Sequence, residues 1–117
     1  DQDLQRVVDA LLVHAGYETK TASSAEQALA VLRTQQFDLM VLDWNLPGMT
    51  GLQLCTRLRE IGSRLPILFL TAHSASEDIV AAFDAGADDF VPKPFRAPEL
   101  TARVMGLLRR SQIPILL

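Results

Sequence analysis

Leu4, Val7, Val8, Leu11 and Leu12 recur at i, i+3, i+4, i+7 and i+8, the stripe of an amphipathic helix. Gly16 follows, a residue suited to the left-handed position that closes a helix. Residues 17–21 then read as a short strand. Ser23-Ser24-Ala25-Glu26 has the form of a capping box and opens a helix through Arg33, with Ala28, Leu29 and Leu32 inward. At residues 37–42 the period changes to a continuous apolar run. It stops at Asp43, followed by Trp44 and an Asn-Leu-Pro-Gly turn at 45–48. Helical spacing returns over Gly51–Glu60, with Leu52, Leu54, Cys55 and Leu58 as the apolar positions and Gly62 behind them.

The same alternation continues. Residues 66–70, Pro-Ile-Leu-Phe-Leu, form a second fully apolar strand that ends in Thr71-Ala72. Ser74-Ala75-Ser76-Glu77 predicts another capping box, before a helix that runs to Ala85 and is ended by Gly86. Phe90-Val91 is a short strand leading into Pro92-Lys93-Pro94-Phe95. Pro98 suits the first turn of a last helix, striped by Leu100, Val104, Leu107 and Leu108. Strands that are apolar on both faces and alternate with helices predict a parallel sheet covered on each side, an α/β doubly wound domain. Right-handed crossovers bring every strand's carboxyl end to one edge, and ligands bind at that edge. Asp43 lies there.

Composition narrows the reading. At 117 residues the chain makes one domain, and 49% hydrophobic with 21% charged residues is ordinary globular usage. A net charge of -3 argues against direct nucleic-acid binding, which needs a basic face. The single cysteine, Cys55, has no partner for an internal disulfide and fits a reducing compartment. No apolar run approaches the roughly 20 residues of a membrane span, and no signal peptide opens the chain, so a cytoplasmic location is expected.

Three strand ends supply polar groups to the crevice: the Asp43 carboxylate, the Thr71 hydroxyl and the Lys93 ammonium. A carboxylate can act as a nucleophile towards phosphorus, while a hydroxyl and an ammonium can hold phosphoryl oxygens as charge redistributes. Each residue alone has an ordinary structural reading as a turn acid, a helix cap or a solvated lysine. The combination is the signal.

The stretches "VLDWNLPGMTG", "LTA", "GADDFVPKPF" and "ELTARVMGLLRR" resemble the receiver domain of two-component response regulators, over about residues 1–110. The resemblance implies a five-stranded flavodoxin-like sheet and a phosphoryl group accepted by Asp43 from a histidine kinase. It implies Mg²⁺ held by Asp43 and the backbone carbonyl of Asn45. Thr71 and Ala72 would bind the phosphoryl group, Lys93 would pair with it, and Thr71 and Phe90 would form a switch. The Lys93-Pro94 bond would be cis. The domain would catalyse its own phosphorylation and slow dephosphorylation, without being a turnover enzyme. Its partners would be a sensor kinase, a DNA-binding output domain outside this chain and a second copy. The copies would meet through the last two helices and the strand between them, where Asp88, Asp89, Glu99 and Arg103 resemble the charged surface of winged-helix regulators.

One departure from the pattern stands out. The family's first strand and the acidic pair that helps hold Mg²⁺ are missing ahead of Gly16-Tyr17, leaving Asp1 or Asp3 as substitutes. Residues 111–117, "SQIPILL", are apolar and β-like where a polar linker is expected. Residues 113–117 therefore read either as a displaced first strand or as the start of a linker. Two functions stay open: a phosphoacceptor switch, or a pseudo-receiver that binds partners without phosphorylation. An aspartyl phosphatase would need a second acid where Asn45 stands, and a flavin domain a Ser/Thr/Gly-rich phosphate loop. Trp44 could cover the site or be a surface aromatic, His73 reads as a loop residue, and His14 and Cys55 read as structural.

Overall fold

Ile67–Thr71 is buried at all five positions, and the other elements are arranged around it. The computed structural model describes residues 2–73 and 75–109. In chain order these form α1 (Gln2–His14), α2 (Ala25–Thr34), β1 (Met40–Asp43), α3 (Gly51–Glu60), β2 (Ile67–Thr71), α4 (Ser76–Asp84), β3 (Asp89–Pro92) and α5 (Ala97–Leu108). The strands run parallel in the order β1-β2-β3. Met40 lies opposite Ile67 and Asp43 opposite Leu70, while Leu68 faces Asp89 and Thr71 faces Pro92.

Period-two alternation sends side chains of one strand into two cores. Ile67 and Phe69 join Leu42 with Leu54, Cys55 and Leu58 of α3 and Ala82 of α4. Leu68 and Leu70 join Val91 with Val8 and Leu12 of α1 and Leu100, Val104 and Leu107 of α5. Helices therefore cover both faces of a parallel sheet, as the apolar strands required.

Local signals place the helices with small differences from the sequence reading. Ser24, not Ser23, caps α2: its hydroxyl accepts from the Gln27 N–H, and the Gln27 carbonyl reaches back to the Ser23 N–H. The cap sits one residue later than expected, and Gln27 bonds the N–H before the cap rather than the cap's own, so no reciprocal box closes. The cap of α4 is Ala75, with no side-chain hydrogen bond, and Ser74 of the box expected at 74–77 lies outside the described residues. A box absent from that reading forms at α3, where Thr50 and Gln53 satisfy each other's backbone N–H groups.

The expected five strands are three among the described residues. The run at 37–42 pairs only from Met40 onward. Residues 17–21 form no ladder, because a strand exists only against a neighbour. Side chains tie this segment to α1 instead: the Thr19 hydroxyl donates to the Asp9 carboxylate, and Gln5 donates to the Ala22 carbonyl at 2.8 Å. The edge of β1 away from β2 has no strand beside it among the described residues. A groove of about 1140 Å³ is lined by both that edge and residues 17–21. Residues 110–117, read above as a displaced first strand or the start of a linker, lie outside the described residues, as do Asp1 and Ser74.

Candidate functional site

Asp43 closes β1 at the carboxyl edge of the sheet, and two interactions fix its carboxylate. Oδ1 accepts the Asn45 backbone N–H at 3.0 Å, which starts the turn, and Oδ2 accepts from Lys93 Nζ at 3.0 Å. Both side chains keep about a fifth of their surface exposed, 19% for Asp43 and 22% for Lys93, so the pair is reachable from solvent.

Lys93 is carried to this position by the loop after β3. Its backbone N–H donates to the Thr71 carbonyl at 2.8 Å, and the Lys93-Pro94 peptide bond is cis. Thr71, at the end of β2, is 2% exposed. Its hydroxyl oxygen accepts the His73 N–H at 2.8 Å. A hydroxyl that accepts there retains its own hydrogen for donation elsewhere. Ala72 follows on the surface, and Phe90, half-buried on β3, meets Phe83 edge-on at 6.2 Å.

The loop that follows Asp43 is set by a close backbone approach. Gly51, the first residue of α3, donates its N–H to the Trp44 carbonyl at 2.8 Å. A Cβ at Gly51 would stand 2.3 Å from the Asp43 carbonyl oxygen and 3.0 Å from Trp44 Cα. Only glycine fits. Gly48 completes the turn with φ at 74°, a conformation glycine adopts without strain. The Trp44 ring stacks on His73 with centroids 4.6 Å apart and also meets Phe69 at 5.7 Å. His73 Nδ1 lies 3.9 Å from the Asp78 carboxylate. Trp44 and His73 thus form one wall beside the acid, an arrangement that strand and helix periodicity do not signal.

Asp43, Asn45, Thr71 and Lys93 converge at one edge; other named residues lie elsewhere. Asp88 Oδ2 accepts from Arg59 Nη2 at 3.0 Å and from the Ile67 N–H at 2.8 Å, at the amino end of β2. Asp89 pairs with Arg103 of α5 at 3.2 Å within the same chain, and Glu99 lies in the first turn of that helix. Among the described residues no three His, Cys, Asp or Glu side chains cluster to hold a metal. The metal ligand considered at Asp1 lies outside them.

A parallel sheet with an acid, a hydroxyl and an ammonium at three strand ends narrows the choice of family, and comparison with known proteins decides it. The model of the response regulator receiver domain matches residues 1–105. The chain belongs to this family. The receiver is 42% identical over 111 residues to the transcriptional regulatory protein TctD of Salmonella typhimurium, covering 95% of this chain and 50% of TctD. It therefore spans about half the length of that relative. The receiver domain of the Francisella response regulator 1452 superposes with a TM-score of 0.90 at 29% identity, covering 94% of this chain and 91% of that one. The receiver domain of the sensor histidine kinase PA1611 of Pseudomonas aeruginosa, described with a magnesium ion coordinated in its active site cleft, gives a TM-score of 0.84 at 28% identity. That match covers 94% of this chain and 92% of the other. The sheet and its helices are thus a receiver of the flavodoxin-like kind, with three strands rather than five among the described residues.

Proposed function

We propose that this receiver is a phosphorylation-dependent switch in which Asp43 takes a phosphoryl group from the phosphohistidine of a sensor histidine kinase. The observation that carries the reading is the Asp43–Lys93 pair at 3.0 Å beside the buried Thr71 hydroxyl. A carboxylate oxygen of Asp43 attacks phosphorus as the bond from phosphorus to the histidine nitrogen breaks. The product is an aspartyl phosphate and a neutral imidazole once a proton is taken up. Lys93 exchanges its carboxylate partner for a phosphoryl oxygen, keeping a charge-assisted bond throughout. Thr71 donates its free hydroxyl hydrogen to a second phosphoryl oxygen, and the exposed Ala72 backbone lies next to it. Water later cleaves the acyl phosphate, slowly, which resets the switch.

The oxygens of Asp43 and Asn45 are of the kind Mg²⁺ takes, and water and a phosphoryl oxygen can complete such a set. When bound, the ion would neutralise charge between Asp43 and the incoming phosphoryl group. The second reading is a pseudo-receiver that binds partners through its surface without phosphorylation.

Downstream, Thr71 and Phe90 form the switch, and α4, β3 and α5 form the responding surface, with Asp88, Asp89, Glu99 and Arg103 as its charged residues. A second copy of the domain and a DNA-binding output domain are the partners. TctD, a transcriptional regulator about twice as long as the matched region, supports that assignment. A histidine kinase donor and the absence of any membrane-length apolar helix among the described residues fit a cytoplasmic site of action.

Intact-protein mass after incubation with acetyl phosphate tests the reading. A gain of one phosphoryl group that requires Mg²⁺ and is abolished by Asp43→Asn supports the switch. A folded protein that gains nothing establishes the pseudo-receiver instead.

A further inference from the structure

We infer that Phe83 of α4 is a positioning residue for the switch: its ring holds Phe90 against the helix and sets how readily Phe90 turns towards Thr71. The inference deepens the switch reading proposed above and rests on it. Phe69 lies in the core shared with α3 and α4, and strand alternation puts Thr71, two residues on, at the same face of β2. Phe90 lies opposite Phe69 in the ladder between β2 and β3 and packs against that same core. Phe90 and Thr71 are therefore diagonal neighbours on one face, and such neighbours lie within reach of an aromatic side chain.

The Phe90 ring has a different partner in the structure. It meets Phe83 with centroids 6.2 Å apart and planes at 79°, the edge-on geometry that aromatic pairs favour. The Phe90 backbone is held separately. Its N–H donates to Asp89 Oδ1 at 2.8 Å, Asp89 pairs with Arg103, and the ladder to β2 fixes the strand. Only the side chain is left to move, and rotation about χ1 takes it between staggered wells, so its positions are discrete. The residues that α4 and its carboxyl cap give to this core are small, Ala82 and Ala85, and do not fix the ring by bulk. Phe83 fixes it by contact.

The two positions are biased from opposite ends. Thr71, repartnered by a phosphoryl group on Asp43, favours the ring beside it, and Phe83 favours the ring on α4. An edge-on aromatic pair shifts such a balance by about 2- to 10-fold. Phe83 is 43% exposed, so replacing it changes the contact with Phe90 more than it changes the packing of the core. When Phe90 turns towards Thr71, Phe83 loses the ring that covers it. Val80 is three residues before Phe83 on the same side of α4 and is itself exposed, so the occupancy of Asp43 becomes a larger apolar surface on that helix.

Nuclear Overhauser contacts of the Phe90 ring in the full, unphosphorylated chain test this. The natural chain should show the Phe90 ring close to the Phe83 ring. In Phe83→Ala the contact between the Phe90 ring and the Thr71 methyl should rise by about 2- to 10-fold over the natural chain. Phe83→Leu, which keeps an apolar side chain on the helix, should shift in the same direction and decides the matter if the alanine variant unfolds. Phe83→Tyr keeps the ring and should match the natural chain. Equal contact between Phe90 and Thr71 in the natural chain and the folded variants overturns the proposal, as does a natural chain with no contact between the two rings. A shift in Phe83→Tyr as large as in Phe83→Ala overturns it too, because the ring contact then plays no part. No step of this experiment needs a phosphoryl group. A chain that never labels with acetyl phosphate sinks the switch reading, whereas the ring contacts alone decide whether Phe83 holds Phe90.

Discussion

Replacing Gly51 by alanine should damage both the fold and the proposed phosphoacceptor, Asp43, through one backbone contact. The added Cβ would stand 2.3 Å from the Asp43 carbonyl oxygen, about 1.1 Å inside the 3.4 Å at which ordinary contact begins. It would also press on Asp43 C at 3.1 Å and Trp44 Cα at 3.0 Å. All three atoms are main chain, so no side chain can swing aside; α3 or the end of β1 must move. Overpacking of this kind costs about 1–3 kcal/mol. Alanine's better helix propensity offsets at most about 1 kcal/mol, and less at the first position of a helix. A net loss of roughly 1–2 kcal/mol should appear as a lower urea midpoint with an unchanged slope. A shift of Asp43 by about 1 Å misplaces its carboxylate against Lys93, and such misplacements slow reactions by about 100-fold. Labelling by acetyl phosphate, followed by mass, should slow on that scale. Gly106→Ala is the matched control. It lies inside α5 with nothing within 4 Å of its would-be Cβ, so it should stabilise by about 0.5–1 kcal/mol and leave labelling alone. Equal stability and labelling for Gly51→Ala and the natural chain would refute the argument that this contact sets the loop.

Arg59→Ala should lower stability by about 1–3 kcal/mol by urea denaturation, since it strips hydrogen bonds from the Gly86 and Ser63 carbonyls and from Asp88. Arg103→Ala should change stability by no more than about 0.5 kcal/mol, because its bridge to Asp89 leaves the Arg103 side chain half exposed. Cys55 should resist alkylation in the native protein: burial pushes its thiol upward, Arg59 pulls it down, and Asp88 pushes it up again. The folded chain then keeps a proton that the unfolded chain releases. This contribution to stability is complete below the ordinary thiol range and fades as pH rises through it towards the folded value. Between about pH 8 and about pH 10 the natural chain should therefore lose more stability than Cys55→Ala, and equal losses would contradict the burial argument.

Much of the fold was legible because two strands are apolar on both faces and because glycines mark the helix ends. Gly16, Gly62 and Gly86 all adopt positive φ, where glycine alone is unstrained. The converging residues were legible for a related reason: polar groups standing directly at the ends of apolar strands must share an edge when the strands are parallel. The failures lie where structure depends on a neighbour. Residues 17–21 have strand-like composition, but pairing is not a property of one segment. The box at 23–26 and the observed cap at Ser24 differ by one position, because Ser-Ser-Ala-Glu-Gln satisfies the capping spacing in two frames. Arg59 and Asp88 are 29 residues apart and join only after β2 and α4 fold, so no local spacing announces them. Gly51 reads as an ordinary helix start until the Asp43 carbonyl is seen beside it.

The two ends of the sheet are secured by different means, and that difference bears on function. At the amino edge, Arg59 and Asp88 join α3, β2 and the loop before β3 through side-chain bonds to backbone, leaving Gly86 no room for a Cβ, which would lie 2.5 Å from Arg59 Cγ. At the carboxyl edge, Asp43 and Thr71 are held by contacts that a phosphoryl group would rearrange: an ion pair, a turn hydrogen bond and a hydroxyl bonded to the His73 N–H. A switch needs one end fixed and the other free to repartner. The Asp43–Lys93 bridge is the interaction most exposed to that exchange, because a phosphoryl oxygen offers Lys93 the same charge-assisted bond.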